Sequence, residues 1–187
     1  MTIVVNFFAG SGCGKTSMAW DVSAELKWMG GINVEYVQEW CKHQIFEDRR
    51  IPFKDQNCIF GKQHYNIFRL VENGKLDVIV TDSPILLSAF YNNKTEENEI
   101  FNQHVLNEFN KFNNLNYFLH RVKPFQPLGR FQTAEEAKQD DILLKKLLDK
   151  FGVSYQIIKG EKTSVEPLAN QIKSMVLAQK QAEAWRS

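Results

Sequence analysis

The chain has 187 residues, is 43% hydrophobic and 24% charged, and carries a formal net charge of +1. That size and composition describe one globular domain, 1–187, with a core of its own, and exclude wholesale disorder. The charge balance excludes a global footprint for nucleic acid or an anionic membrane, leaving room only for a local basic groove.

The first apolar run, Ile3-Val-Val-Asn-Phe-Phe8, has no basic region ahead of it and is too short for a signal peptide or membrane span. It reads as a buried strand, and no membrane partner is expected. Ala9-Gly-Ser-Gly-Cys-Gly-Lys15-Thr16 follows, and then a helical pattern with Met18, Val22 and Leu26 one turn apart. Strand, glycine-rich turn and helix in that order make a P-loop, with Ala in place of the usual first Gly. Its glycines let consecutive N–H groups, from Gly10, Ser11, Gly12, Cys13 and Gly14 through Lys15, Thr16 and Ser17, converge on phosphate oxygens. The helix that follows points its positive dipole end at the same anion. Lys15 is placed to neutralise the β- and γ-phosphates, and the Thr16 hydroxyl to hold Mg²⁺. The stretch predicts binding of a nucleoside triphosphate.

Gly30-Gly31 stops the helix, and Asn33 to Gln38 reads as a second strand ending at Glu39-Trp40. Residues 41–51 read as a short helix and loop. Cys41 and Cys58 join Cys13 as an odd set without C-x-x-C spacing, which points to a reducing cytoplasm. Asp55 to Glu72 is expected to be a long helix with Ile59, Tyr65 or Phe68, and Val71 on its apolar face, ended by Asn73-Gly74. Asp77-Val-Ile-Val-Thr-Asp82 is the clearest strand. Ser83-Pro84 bends into another helix, and Thr95 is expected to start the next, with Phe101, Val105, Phe109 and Phe112 recurring at helical spacing. Leu115 to Leu119 is a fourth strand, running into His120-Arg121. A loop with two prolines and Gly129, about 122–133, reads as a lid carrying Lys123 and Arg130. Thr133-Ala-Glu-Glu136 is a capping box opening a helix through Leu143, Leu147 and Phe151, which Gly152 terminates. Ser154 to Ile158 is a fifth strand, and a last helix runs from about Ser164 through Leu168, Ile172 and Val176.

Five alternations of strand and helix predict an α/β fold with a parallel sheet covered on both faces. Ligands in such sheets bind beyond the carboxyl ends of the strands, where the P-loop, Glu39, Asp82 and Arg121 all fall. Phosphoryl transfer needs a phosphate cradle, a metal, a group to orient the acceptor hydroxyl, and cations over the transferred phosphoryl. Asp82 is placed to hold Mg²⁺, to contact the acceptor, or simply to cap the next helix. Glu39 is the candidate to accept the acceptor's proton, against the plainer reading of a surface carboxylate. Trp40 either stacks on a flat acceptor ring or packs under its loop. Arg121 and Arg130 flank the lid and suit transition-state charge stabilisation, whereas Lys123 reads as surface. Lys62, Gln63 and His64 are candidates to line an acceptor pocket, with His64 more simply structural.

The segments AGSGCGKT (9–16), VEYVQEW (34–40), DQNCIFGKQ (55–63), VIVTDSPILLS (78–88) and GRFQTAEEAKQDD (129–141) together resemble the P-loop kinase superfamily. Within it they are similar to the nicotinamide riboside kinase-like ATP-binding group, and more similar still to single-domain kinases of tailed bacteriophages. The resemblance implies a three-layer α/β/α fold with sheet order 2-3-1-4-5, MgATP, and transfer to a hydroxyl of a nucleobase, nucleoside or nucleotide. Among phage relatives it implies 5-hydroxymethyluracil in DNA as the specific acceptor. It further implies a nucleoside-type or DNA-borne partner, a monomer or homodimer, and a cytoplasmic setting, that of the host if the protein is viral. By position Glu39 resembles the acceptor-binding carboxylate of nucleoside kinases, though the proline that often follows is absent. The alternatives are a kinase of free nicotinamide riboside or a deoxynucleotide and, from another class, an ATPase switch or nucleotide-binding module.

Overall fold

Short runs of β-branched and aromatic residues pair here as a parallel sheet, because each is followed by a helix long enough to carry the chain back across one face. In the computed structural model, which describes residues 1–95, 98–126 and 132–185, these are β1 (Ile3–Phe8), β2 (Val34–Val37), β3 (Val78–Thr81), β4 (Asn113–His120) and β5 (Gln156–Lys159). They lie in the order β2-β3-β1-β4-β5, all parallel, with β1 central. The expected sheet is the observed one.

Alternation along β1 sorts the core into two layers. Ile3, Val5 and Phe7 face α1 (Lys15–Met29) and α7 (Val165–Ala184), whose Val22, Leu26, Leu168 and Ile172 are buried there. Val4 and Phe8 face the opposite layer, built from α3 (Gln56–Glu72), α4 (Leu87–Thr95), α5 (Glu99–Phe109) and α6 (Ala134–Lys150). Asn6 shares that second parity and is 1% exposed. Its amide donates to Asn114 Oδ1 at 2.9 Å and Asn116 Oδ1 at 3.0 Å, so the asparagines of β4 satisfy a polar side chain inside the sheet. This pairing accounts for β4 starting at Asn113, two residues ahead of the expected Leu115.

Several boundaries differ from expectation for identifiable reasons. Thr95 ends α4 rather than opening a helix; Asn98 caps α5 by accepting from the Phe101 N–H, and Phe112 falls beyond its end. On α3 the buried face is Phe60, Gln63 and Ile67, with Tyr65 and Phe68 exposed. Phe68 instead stacks on His64, extending an aromatic stack with Phe60. On α6 Leu144 and Leu148 are buried while Leu143 faces outward. The Thr133 capping box is present, both reciprocal hydrogen bonds made. Between β2 and α3 the chain forms the expected short helix, α2 (Cys41–Phe46), and then a 3₁₀ turn (Ile51–Lys54) that was not foreseen. Of the expected lid, residues 127–131, including Gly129 and Arg130, lie outside the described residues. Among those described, no helix is long and apolar enough to cross a membrane.

Candidate active site

The donor side is local chain geometry. β1 delivers Ala9 at the sheet's carboxyl edge, and the turn passes through Gly12 (φ 75°) and Gly14 (φ 96°), left-handed conformations that favour glycine. Gly14 is the N-cap of α1, whose first turn carries no acidic residue, so the first-turn N–H groups and the dipole stay available to an anion. Lys15 Nζ donates to the carbonyls of Ala9 at 2.8 Å and Gly10 at 3.2 Å, folding its charge back over the loop. Cys13 is 1% exposed and its thiol donates to Leu119 O. Burial, and secondarily Asp141, raises its pKa against the pull of Arg121 and Lys15. It is an inert filler of the loop, not a reactive thiol. Gly160, just after β5, lets the chain close on the loop, since a Cβ there would sit 2.9 Å from Cys13 O.

The opposite side is assembled by hydrogen bonds that buried side chains make between distant segments. Asp82, 2% exposed at the end of β3, accepts the Glu39 N–H at 3.0 Å. Gln63 of α3 is 3% exposed. Its Oε1 accepts the Trp40 N–H at 3.0 Å, and its Nε2 reaches Thr81 Oγ1 at 3.4 Å. That amide is therefore a strut tying the end of β2 to the end of β3. Lys62 is exposed, and His64 is engaged by its aromatic stack and by Glu108 at 3.4 Å, so neither joins the site. Trp40 is half-buried at the start of α2.

Glu39 lies half-buried where the two sides meet. Burial is the main cause of its raised pKa; the Asp82 charge adds to the rise, while Lys15 and Lys42 oppose it. Lys15, Asp82 and Glu39 thus share one electrostatic neighbourhood. Two tyrosines absent from the sequence reading belong to it. Burial and then the Asp82 charge raise the pKa of Tyr36, and burial, Glu39 and Asp140 raise that of Tyr91. Beside Glu39 a cavity of about 420 Å³ opens along the edge of β2, lined in part by Gln38, His43, Asn66 and Arg69.

The residues fit a magnesium ion in one respect: the buried carboxylate of Asp82 stands at the carboxyl end of β3, held by the Glu39 N–H on Oδ1 and interacting with the Tyr36 hydroxyl, a hard oxygen donor at the mouth of the sheet. Thr16, half-buried in the first turn of α1, is the other residue that would hold it. Among the described residues no group of three or more His, Cys, Asp or Glu side chains surrounds a common point. Phosphate oxygens and water would therefore complete the coordination.

Arg121 is not a mobile lid residue. Its Nε and Nη2 donate to Asp141 Oδ2 at 3.1 and 3.0 Å, and Nη2 reaches Ala137 O at 3.4 Å. Lys123 is exposed, as expected for a surface charge. Asp141 was missed, yet it carried a signal. Ala137, Asp140, Asp141, Leu144 and Leu148 recur at helical spacing, so a carboxylate pair interrupts an otherwise apolar face.

A glycine turn between β1 and α1, in a five-stranded parallel sheet of this order, defines a P-loop kinase-like NTPase fold. The chain belongs to the family described as AAA domain (AAA_28), whose model matches residues 4–166. The fold is similar to that of shikimate kinase from Acinetobacter baumannii, solved in complex with shikimate. Identity is 16%, coverage is 96% of this chain and 95% of that one, and the TM-score is 0.50. The crystal structure of APE1195 is 21% identical over 95% of each chain, at a TM-score of 0.40. No curated protein matches the sequence.

Proposed function

We propose that the protein is an ATP-dependent phosphotransferase that moves the γ-phosphoryl group to a hydroxyl of a nucleobase, nucleoside or nucleotide. The observation that carries this reading is the placement of Glu39 at the carboxyl end of β2, its N–H held by Asp82 at the end of β3 and its carboxylate, of raised pKa, in the electrostatic neighbourhood of the P-loop lysine. In the proposed step the acceptor oxygen attacks the γ-phosphorus as its proton passes to Glu39, the bond to the β-phosphate oxygen breaks, and ADP leaves. Lys15 and Arg121 balance charge on the phosphates. Asp82 and Thr16 would hold a magnesium ion, which would supply charge neutralisation at the transferred group. Trp40 and the Gln63 strut shape the acceptor side, and Arg130 is assigned to the same charge balance from its sequence position alone.

The specific acceptor we favour is 5-hydroxymethyluracil in phage DNA, on the resemblance of the P-loop, Thr81-Asp-Ser-Pro84 and Gly129-to-Asp141 segments to phage kinases. A base in duplex DNA would have to be flipped out to reach Glu39. Incubation with γ-labelled ATP and separate acceptors (nucleosides, nucleotides, nicotinamide riboside, hydroxymethyluracil-containing DNA) tests both levels. Label in an organic product supports a kinase and names its acceptor class. Label released only as inorganic phosphate points to an ATPase switch, and tight ATP binding with no turnover to a binding module.

A further inference from the structure

We propose that Asp141 is the positioning residue of the phosphate site, holding Arg121 so that its remaining nitrogen meets the terminal phosphoryl group of the nucleotide. This rests on the P-loop taking a nucleoside triphosphate, as proposed above. The two oxygens of Asp141 do different jobs. Oδ1 accepts the Gly10 N–H at 2.5 Å, so that amide, expected to face phosphate, instead clasps the P-loop to α6, while Oδ2 accepts Nε and Nη2 of Arg121.

That leaves Nη1, which is buried and has no hydrogen-bond partner among the described residues. A buried cationic donor left bare is disfavoured unless an acceptor arrives, and a phosphate oxygen in the adjoining loop is the acceptor chemistry supplies. Lys15 Nζ donates to the Gly10 carbonyl, and Asp141, the partner of Arg121, accepts the Gly10 N–H, so the two cations flank the same residue of the loop. The clasp is close: a Cβ on Gly10 would lie 2.4 Å from Ala137 O and 3.0 Å from Asp141 Oδ1. Only a glycine lets α6 approach the loop so nearly. Packing alone would be served by the Gly10 contact. The second oxygen is spent on orienting an arginine.

The separable roles permit a clean test in the full chain. Asp141→Asn can keep an oxygen on the Gly10 N–H while replacing the oxygen that faces Arg121 with a donor. Affinities for MgATP and MgADP are measured by calorimetry for the wild type, Asp141→Asn, Arg121→Met and the double variant. We expect Asp141→Asn and Arg121→Met each to weaken ATP by about tenfold while leaving ADP within about twofold, and the double variant to be no worse than Arg121→Met. Asp141→Glu should recover part of the loss. Equal losses for ATP and ADP, or additive losses in the double variant, would overturn the assignment while leaving nucleotide binding intact. Should Asp141→Asn fail to fold, an Arg121→Met variant with the wild-type ATP-to-ADP ratio would overturn it as well. A wild type that binds neither nucleotide would sink the phosphate site itself.

Discussion

The two halves of the candidate site are built by different means. The donor half is a continuous run of backbone, Ala9 to Thr16, shaped by glycines at left-handed positions and by the start of α1. The acceptor half is stitched from Glu39, Gln63, Thr81 and Asp82, residues brought together by side chains buried between three elements. A site made of consecutive N–H groups depends on the chain's own conformation. A site made of tertiary hydrogen bonds depends on the packing of everything beneath it, so it should be the more easily disturbed by changes remote from the ligand.

Substitutions on the two sides sharpen that contrast. Lys15→Ala should show the largest effect, a loss of transfer of at least about 10²- to 10³-fold with circular dichroism unchanged. Retained activity would remove the loop from the chemistry. Gly10→Ala should come next, because its Cβ meets backbone rather than a flexible side chain. A destabilisation of about 1–3 kcal/mol is expected, read as a drop in melting temperature. On the acceptor side, Gln63→Leu removes the acceptor of the part-buried Trp40 N–H and should cost about 0.5–1.5 kcal/mol. It should also raise KM for the acceptor more than for ATP, a split that steady-state kinetics can refute. The smallest effect is a control: Gly61, inside α3 with open space around it, should tolerate Ala and gain about 0.5–1 kcal/mol.

What the sequence made legible follows the same division. Glycine, lysine and threonine at fixed spacing announce the P-loop because the chemistry is local, and the Thr133 capping box is legible for the same reason. Sheet order came with the family resemblance and holds. The role of Gln63 as a strut was not legible, since its partners Trp40 and Thr81 are 23 and 18 residues away. Arg121 was read as a lid cation because its neighbours in sequence are loop-like; its actual partner, Asp141, is 20 residues on. The break between α4 and α5 was misplaced because Thr95 and Asn98 are both capping residue types, and only packing chooses Asn98.

The most direct measurement is the fate of the γ-phosphoryl group in the wild type and in Glu39→Gln, followed across pH with an acceptor identified from the panel. If Glu39 takes the acceptor's proton, wild-type kcat/KM falls on the acid side through a pKa above the ordinary carboxylate range, as burial requires. Glu39→Gln should then lose about 10²-fold or more in transfer, lose that acid limb, and bind ATP within about twofold of the wild type. Equal transfer in both proteins, with the acid limb unchanged, would contradict the assignment of Glu39 as the acceptor-side base.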